Sequence, residues 1–273
     1  MARGGGLAAA LAGFGAGLAG GLFGVGGGMV MVPVLTSYFG LSQHQAHGTS
    51  LAAVAATAIA GVVVYALAGH VAWVPAALMA VSSAYAAKRG ARLAAGVSRQ
   101  RLTLAFAVFM LAVGVRILLR APGGSAGQDA GVTGWLEAGH ATGLWRVLAS
   151  LGVGALVGLL AGFMGVGGGI IAVPALTLLF GMDQQTAQGT SLALVIVTAP
   201  FGAIEHARHG NVARPLLPEL MAGAFLGAPL ASLAAQRLPQ ATLARGFAIF
   251  LLASAMRMGW EVLHHREPEP GAA

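Results

Sequence analysis

The sequence predicts an all-α polytopic membrane protein made of two homologous halves, and three observations carry that prediction. Only 8% of the 273 residues are charged while 57% are hydrophobic, far from the roughly one quarter charged of a water-soluble domain. Apolar runs approaching the ~20 residues of a bilayer crossing recur at 51–67, 102–119, 144–163, 191–204 and 246–258. The stretch GVGGGMVMVP, Gly24 to Pro33, returns as GVGGGIIAVP, Gly165 to Pro174.

The repetition extends well beyond that motif. Aligning Gly24–Val54 with Gly165–Val195 gives 19 identities in 31 positions, and agreement resumes at Thr57/Thr198, Gly61/Gly202, Gly69/Gly210 and Arg116/Arg257. The expected organisation is an N-terminal repeat over 1–120, an extramembrane linker over 121–143, a C-terminal repeat over 144–265 and a polar tail over 266–273. The linker composition, rich in Gly, Ala and polar residues, reads as a loop. The N-terminal run MARGGGLAAALAGFGAGLAGG has the charge pattern of a signal peptide. It leads without pause into the first glycine motif and is read as a retained helix.

Within each half the elements follow in order. A first apolar helix reaches Gly24. The glycines then break it, and Met29 to about Tyr38 leaves room for only ~15 Å of helix, too short to span. A long helix follows GTS, at Gly48-Thr49-Ser50 in the first half and Gly189-Thr190-Ser191 in the second, and two further helices complete the half. The expectation is therefore about four transmembrane helices plus one Gly-broken half-helix or hairpin per half.

Basic residues decide the sense of the halves, because cytoplasmic loops are enriched in Lys and Arg. With the broken pair entering and leaving on one side, the second half is inverted. Lys88, Arg89, Arg92, Arg99, Arg101, Arg3, Arg208, Arg214, Arg257 and Arg266 then share the cytoplasmic side, 10 of the 15 Lys and Arg. A parallel duplication gives no bias. Inverted repeats are expected, with a site near the midplane between them.

Irregular backbone inside a membrane is tolerated only where it is buried in protein or lines a cavity. Glycines there allow close approach to the amides, and the start of a half-helix offers N–H groups and the positive end of the helix dipole to an anion. The candidate substrate-binding residues are Gly26, Gly27, Gly28, Thr49 and Ser50, with Gly167, Gly168, Gly169, Thr190 and Ser191. Gln43, His47, Gln184 and Gln188 form a second tier. The competing account of the glycines is close helix packing, and of the hydroxyls, helix capping. His47 replaces Gln188 in the repeat and is titratable near neutral pH. Glu205, His206, Arg208 and His209 read as a solvated loop, and Glu219 as interfacial or intramembrane.

Other chemistries find no support. There is no Cys, and none of the eight acidic residues precedes Asp129, which excludes thiolate chemistry and a carboxylate-lined cation site in the first half. GAGLAG at 15–20 lacks the strand and the acid of a dinucleotide fold. No His pair has zinc spacing with further ligands, and basic residues are not interleaved with aromatics as nucleic-acid binding requires. No catalytic residue, metal or cofactor is expected, and the protein is read as no enzyme.

The paired blocks G-x-x-G-V-G-G-G-x-x-x-V-P-x-L at Gly21–Leu35 and Gly162–Leu176, each followed by A-x-G-T-S-L, closely resemble the sulfite exporter TauE/SafE family. That family is also called the toluene-sulfonate uptake permease family. The resemblance implies a multi-pass secondary carrier of the bacterial inner membrane. Its substrate would be a small sulfur-containing anion such as sulfite, thiosulfate or an organosulfonate. Coupling to the proton gradient and assembly as a homodimer are compatible with this expectation. An anion channel and an intramembrane enzyme are the alternatives.

Overall fold

A computed structural model of the chain describes residues 3–93, 99–119, 140–164 and 167–264. The linker over 121–139, the two residues Gly165 and Val166 of the second glycine motif and the tail over 266–273 lie outside the described residues. Among those described the regular structure is helical, with no strand. In chain order the helices are α1 (Arg3–Phe23), α2 (Gly28–Ser37), α3 (Gln43–Leu67), α4 (Trp73–Leu93), α5 (Arg99–Leu119), α6 (His140–Met164), α7 (Gly169–Leu178), α8 (Gln184–Arg208), α9 (Leu217–Arg237) and α10 (Gln240–His264), with a short 3-10 turn over Arg214–Leu216 before α9.

Six of these are long and apolar enough to cross a membrane: α1, α3, α6, α8, α9 and α10. The burial pattern suits a bilayer. Large apolar side chains such as Leu11, Val81, Leu226 and Leu230 are exposed, whereas the buried polar side chains among the described residues are Ser, Thr and Gln, without a charge. Among the described residues each half supplies five helices, and α2 and α7 are the short ones at 10 residues each.

The described residues form two compact units. One holds Met1–Ala91 with Ser125–Gln240, and the other holds Arg92–Gly124 with Ala241–Ala273. Each unit draws on both halves of the sequence. In the smaller unit, α5 and α10 are the helices, and a methyl group added at Gly114 of α5 would meet Leu252 Cδ2 at 3.0 Å.

The larger unit is assembled by exchange between halves. Helix α1 runs parallel to α9 in backbone contact: Gly13, Gly17 and Gly21 lie on the carbonyls of Leu220, Ala224 and Ala228. Helix α6 repeats this on α4, with Gly154 on Met79 and Gly158 on the Ser83 carbonyl. These small-residue seams bring backbones together where lipid supplies no hydrophobic drive between helices.

Between the seams, α3 and α8 run antiparallel. A methyl at Gly48, near the start of α3, would strike the Asn211 carbonyl just past the end of α8. One at Gly189, near the start of α8, would strike the His70 carbonyl just past the end of α3.

The long helices are capped earlier than the sequence reading placed them. Ser42 caps α3 through a reciprocal capping box with Gln45, and Asp183 caps α8 by accepting from the Thr186 amide at 2.9 Å. The two GTS segments therefore sit nearly two turns inside their helices rather than at the first turn. Their hydroxyls are not caps.

Candidate functional site

Each glycine motif reverses the chain. Gly27 and Gly168 are the N-caps of α2 and α7, and both take left-handed backbone, φ 83° and 78°. Only glycine occupies that region without strain. The reversal folds α2 back along α1, so that Gly27 lies against the Ala16 carbonyl and Leu35 reaches the cluster containing Ala9. Gly168 lies against Val157 and Ala161 of α6 in the same way. The first half thus contains a helix broken at the glycines and folded back on itself, and in the second half the start of α7 lies against α6.

Neither half-helix has a side-chain cap. The first amides of a helix have no intrahelical partner, so among the described residues the Gly28–Met29 and Gly169–Ile170 ends keep donors without a side-chain cap. Pro33 and Pro174 lie inside these helices and leave the Met29 and Ile170 carbonyls without their helical donors. Thr36 and Thr177 donate back to the carbonyls of Val32 and Pro33, and of Val173 and Pro174, at 3.1–3.2 Å.

The two turns meet. A methyl on Gly26 would lie 2.7 Å from Val54 Cγ1 and 3.5 Å from Val195 Cγ1; on Gly167 the distances would be 2.9 and 3.9 Å. Val54 and Val195 are equivalent residues of the repeat, both fully buried. Gly169 packs directly on Gly24 and Val25, and Ser191 Oγ donates to the Gly24 carbonyl at 2.8 Å. The centre of the larger unit is therefore a contact between the glycine turns of both halves, floored by two valines.

The hydroxyls and amides divide into groups. Thr49 Oγ1 accepts from the Ala213 amide and Thr190 Oγ1 from the Ala72 amide, both at 2.9 Å. These two bonds are images of one another, and each ties the GTS segment of one half to a loop of the other. Ser50 Oγ donates to the His47 carbonyl at 3.4 Å. Gln188 is fully buried on α8, packed against Gly24, with Oε1 accepting from Tyr65 Oη at 3.0 Å and Nε2 unpartnered. His47 holds the matching place on α3 and is half-buried.

The glutamines at the helix starts lie elsewhere. Gln43 is exposed at the first turn of α3. Gln184 is buried at the first turn of α8, where its backbone N–H donates to Gln240 Oε1 at 2.9 Å. Gly26, Gly27, Gly28, Gly167, Gly168, Gly169, Ser191 and Gln188 thus come together, while Gln43 and Gln184 stand at the outer ends.

Residues outside the motifs complete the picture. Sequence reasoning passed over Tyr65, Ser232, Val54 and Val195 as site residues; the repeat places His206 opposite Tyr65, so the duplication gives no signal there. Glu205 pairs with Arg208 at 3.5 Å and His209 at 3.4 Å on an exposed surface. Glu219 stands in the first turn of α9 beside Gly6, with Oε2 buried and unpartnered.

Hairpins broken by uncapped half-helices, packed among membrane-length helices, define a multi-pass membrane protein. The family model of the sulfite exporter TauE/SafE matches residues 9–258, and the chain belongs to that family, whose description is that of a membrane transporter and not of an enzyme.

A protein of Xylella fastidiosa strain 9a5c named "probable membrane transporter protein" is 32% identical over 236 residues, covering 85% of this chain and 86% of its own. The "probable membrane transporter protein YunE" of Bacillus subtilis strain 168 is 25% identical over 245 residues, 86% and 90% of the two chains. A Haemophilus influenzae protein of the same description is 37% identical over 91 residues, 29% of this chain and 34% of its own. No solved structure gives a match. These bacterial relatives place the chain among multi-pass proteins of the bacterial inner membrane.

Proposed function

We propose that this protein is a secondary transporter of a small sulfur-containing anion: sulfite, thiosulfate or an organosulfonate. The anion sits where the two glycine turns meet, held by the free amides at the starts of α2 and α7 and by neighbouring hydroxyl and amide groups. The observation that carries this reading is the contact of two glycine turns, each leading into an uncapped helix start, among buried Ser, Thr and Gln side chains. Amides at a helix start bind oxyanions through hydrogen bonds and the helix dipole, and an oxyanion with several acceptor oxygens matches several converging donors. The family description, a sulfite exporter, supports the substrate class.

The antiparallel course of α3 and α8 supports a second part of the proposal. The halves cross the membrane in opposite senses, and access alternates about the axis relating them. Proton coupling belongs to the same proposal. His47, the titratable counterpart of Gln188, is the group that would carry it, and His47→Gln should leave exchange insensitive to an imposed pH gradient.

Counterflow in proteoliposomes tests the substrate class. Vesicles loaded with sulfite, thiosulfate or a short alkanesulfonate should take up the labelled anion in a saturable, trans-stimulated manner. Saturable exchange of none of them overturns the substrate, and flux without saturation or trans-stimulation points to a channel.

A further inference from the structure

The buried amide of Gln188 has a definite orientation problem, and its surroundings solve it. A carboxamide presents an acceptor at one end and two donors at the other, and its hydrogen-bond partners decide which way it faces. Tyr65 Oη lies 3.0 Å from Gln188 Oε1 and 2.9 Å from the Gly21 carbonyl. Its single proton can serve only one of them. If Gly21 takes that proton, Tyr65 can only accept from Gln188. The amide must then turn its nitrogen to the phenol and its oxygen to the interior, where it would repel an anion.

Ser232 changes the balance. Its hydroxyl, fully buried on α9, donates to the same Gly21 carbonyl at 3.3 Å. The end of α1 is thereby supplied from the second half, and the Tyr65 proton is free for Gln188 Oε1. Nε2 is left buried with its hydrogens unclaimed, in a side chain that Tyr65 holds at the last turn of α1 and that packs on Gly24 at the first glycine turn. An orphaned buried donor is costly, and an anion would satisfy it.

We infer that Tyr65 and Ser232 are positioning residues that hold the Gln188 amide donor-outward, making Gln188 Nε2 a side-chain donor to the transported anion. Neither needs to touch the anion. The inference rests on the anion reading above and adds the residues that set the sign of this part of the site.

The test is binding of sulfite to the purified full chain in detergent, by calorimetry, with thermal unfolding of each variant measured in parallel. Tyr65→Phe and Ser232→Ala should each raise the sulfite Kd roughly tenfold or more, the value of one hydrogen bond to a charged group. In a Gln188→Met background, which removes the amide at similar volume, the same two substitutions should have no further effect on Kd. Unchanged Kd in both single variants overturns the inference while leaving the anion site standing. An equal loss in the Gln188→Met background also overturns it, because a merely structural role acts with or without the amide. Absence of binding by the unsubstituted chain to sulfite, thiosulfate and methanesulfonate alike overturns the anion reading itself.

Discussion

At the scale of single residues, space decides the sign of each glycine substitution. Within a helix Gly→Ala is ordinarily stabilising by up to ~1 kcal/mol. Gly15 has nothing within 4 Å of an added methyl, whereas Gly13 has the Leu220 backbone in the way. Gly15→Ala should therefore raise or preserve the unfolding temperature in detergent, and Gly13→Ala should lower it. The N-cap glycines add backbone strain of ~1–2 kcal/mol for a left-handed non-glycine residue. The added methyl meets a backbone carbonyl at Gly27 but side chains at Gly168, so Gly27→Ala should be the more damaging of the two in the same assay.

Among elements, the exchange between halves rests on two hydrogen bonds that repeat symmetry makes alike. Replacing Thr190 with Val keeps the shape and strands the buried Ala72 amide, at a cost of about 1–3 kcal/mol, and Thr49→Val strands the half-buried Ala213 amide at a smaller cost. Each variant should unfold at lower temperature, and Thr→Ser should restore most of the loss.

This part of the site was only half legible in the sequence. The glycine break could be read because it occurs twice at one spacing, and the half-helices follow from the short run between glycines and the next turn. The role of the threonines could not be read, since their partners are backbone amides in loops far along the chain, which leave no side-chain signature. The capping residues Ser42 and Asp183 were visible as residue types, but attention to GTS moved the expected helix start inward by nearly two turns. Tyr65 was hidden for another reason. A phenol in an apolar helix reads as core until its partner across the fold is known.

For the whole molecule, the proposed arrangement has two halves crossing the bilayer in opposite senses, so that the two glycine turns would form one site. Duplication was evident from the sequence, and the charge count favoured inversion. The seams of α1 on α9 and α6 on α4 were not predictable, because runs of small residues say that a helix packs closely without saying on which neighbour. The absence of Cys makes the arrangement directly measurable. Leu67 and Arg208 end α3 and α8 at equivalent places of the repeat, and both are exposed. Leu67→Cys and Arg208→Cys, each as the single thiol of the chain in intact cells, can be labelled with a membrane-impermeant maleimide before and after permeabilisation. Inverted halves predict that Leu67→Cys reacts from outside in intact cells while Arg208→Cys reacts only after permeabilisation. Labelling of both from the same side would contradict the account.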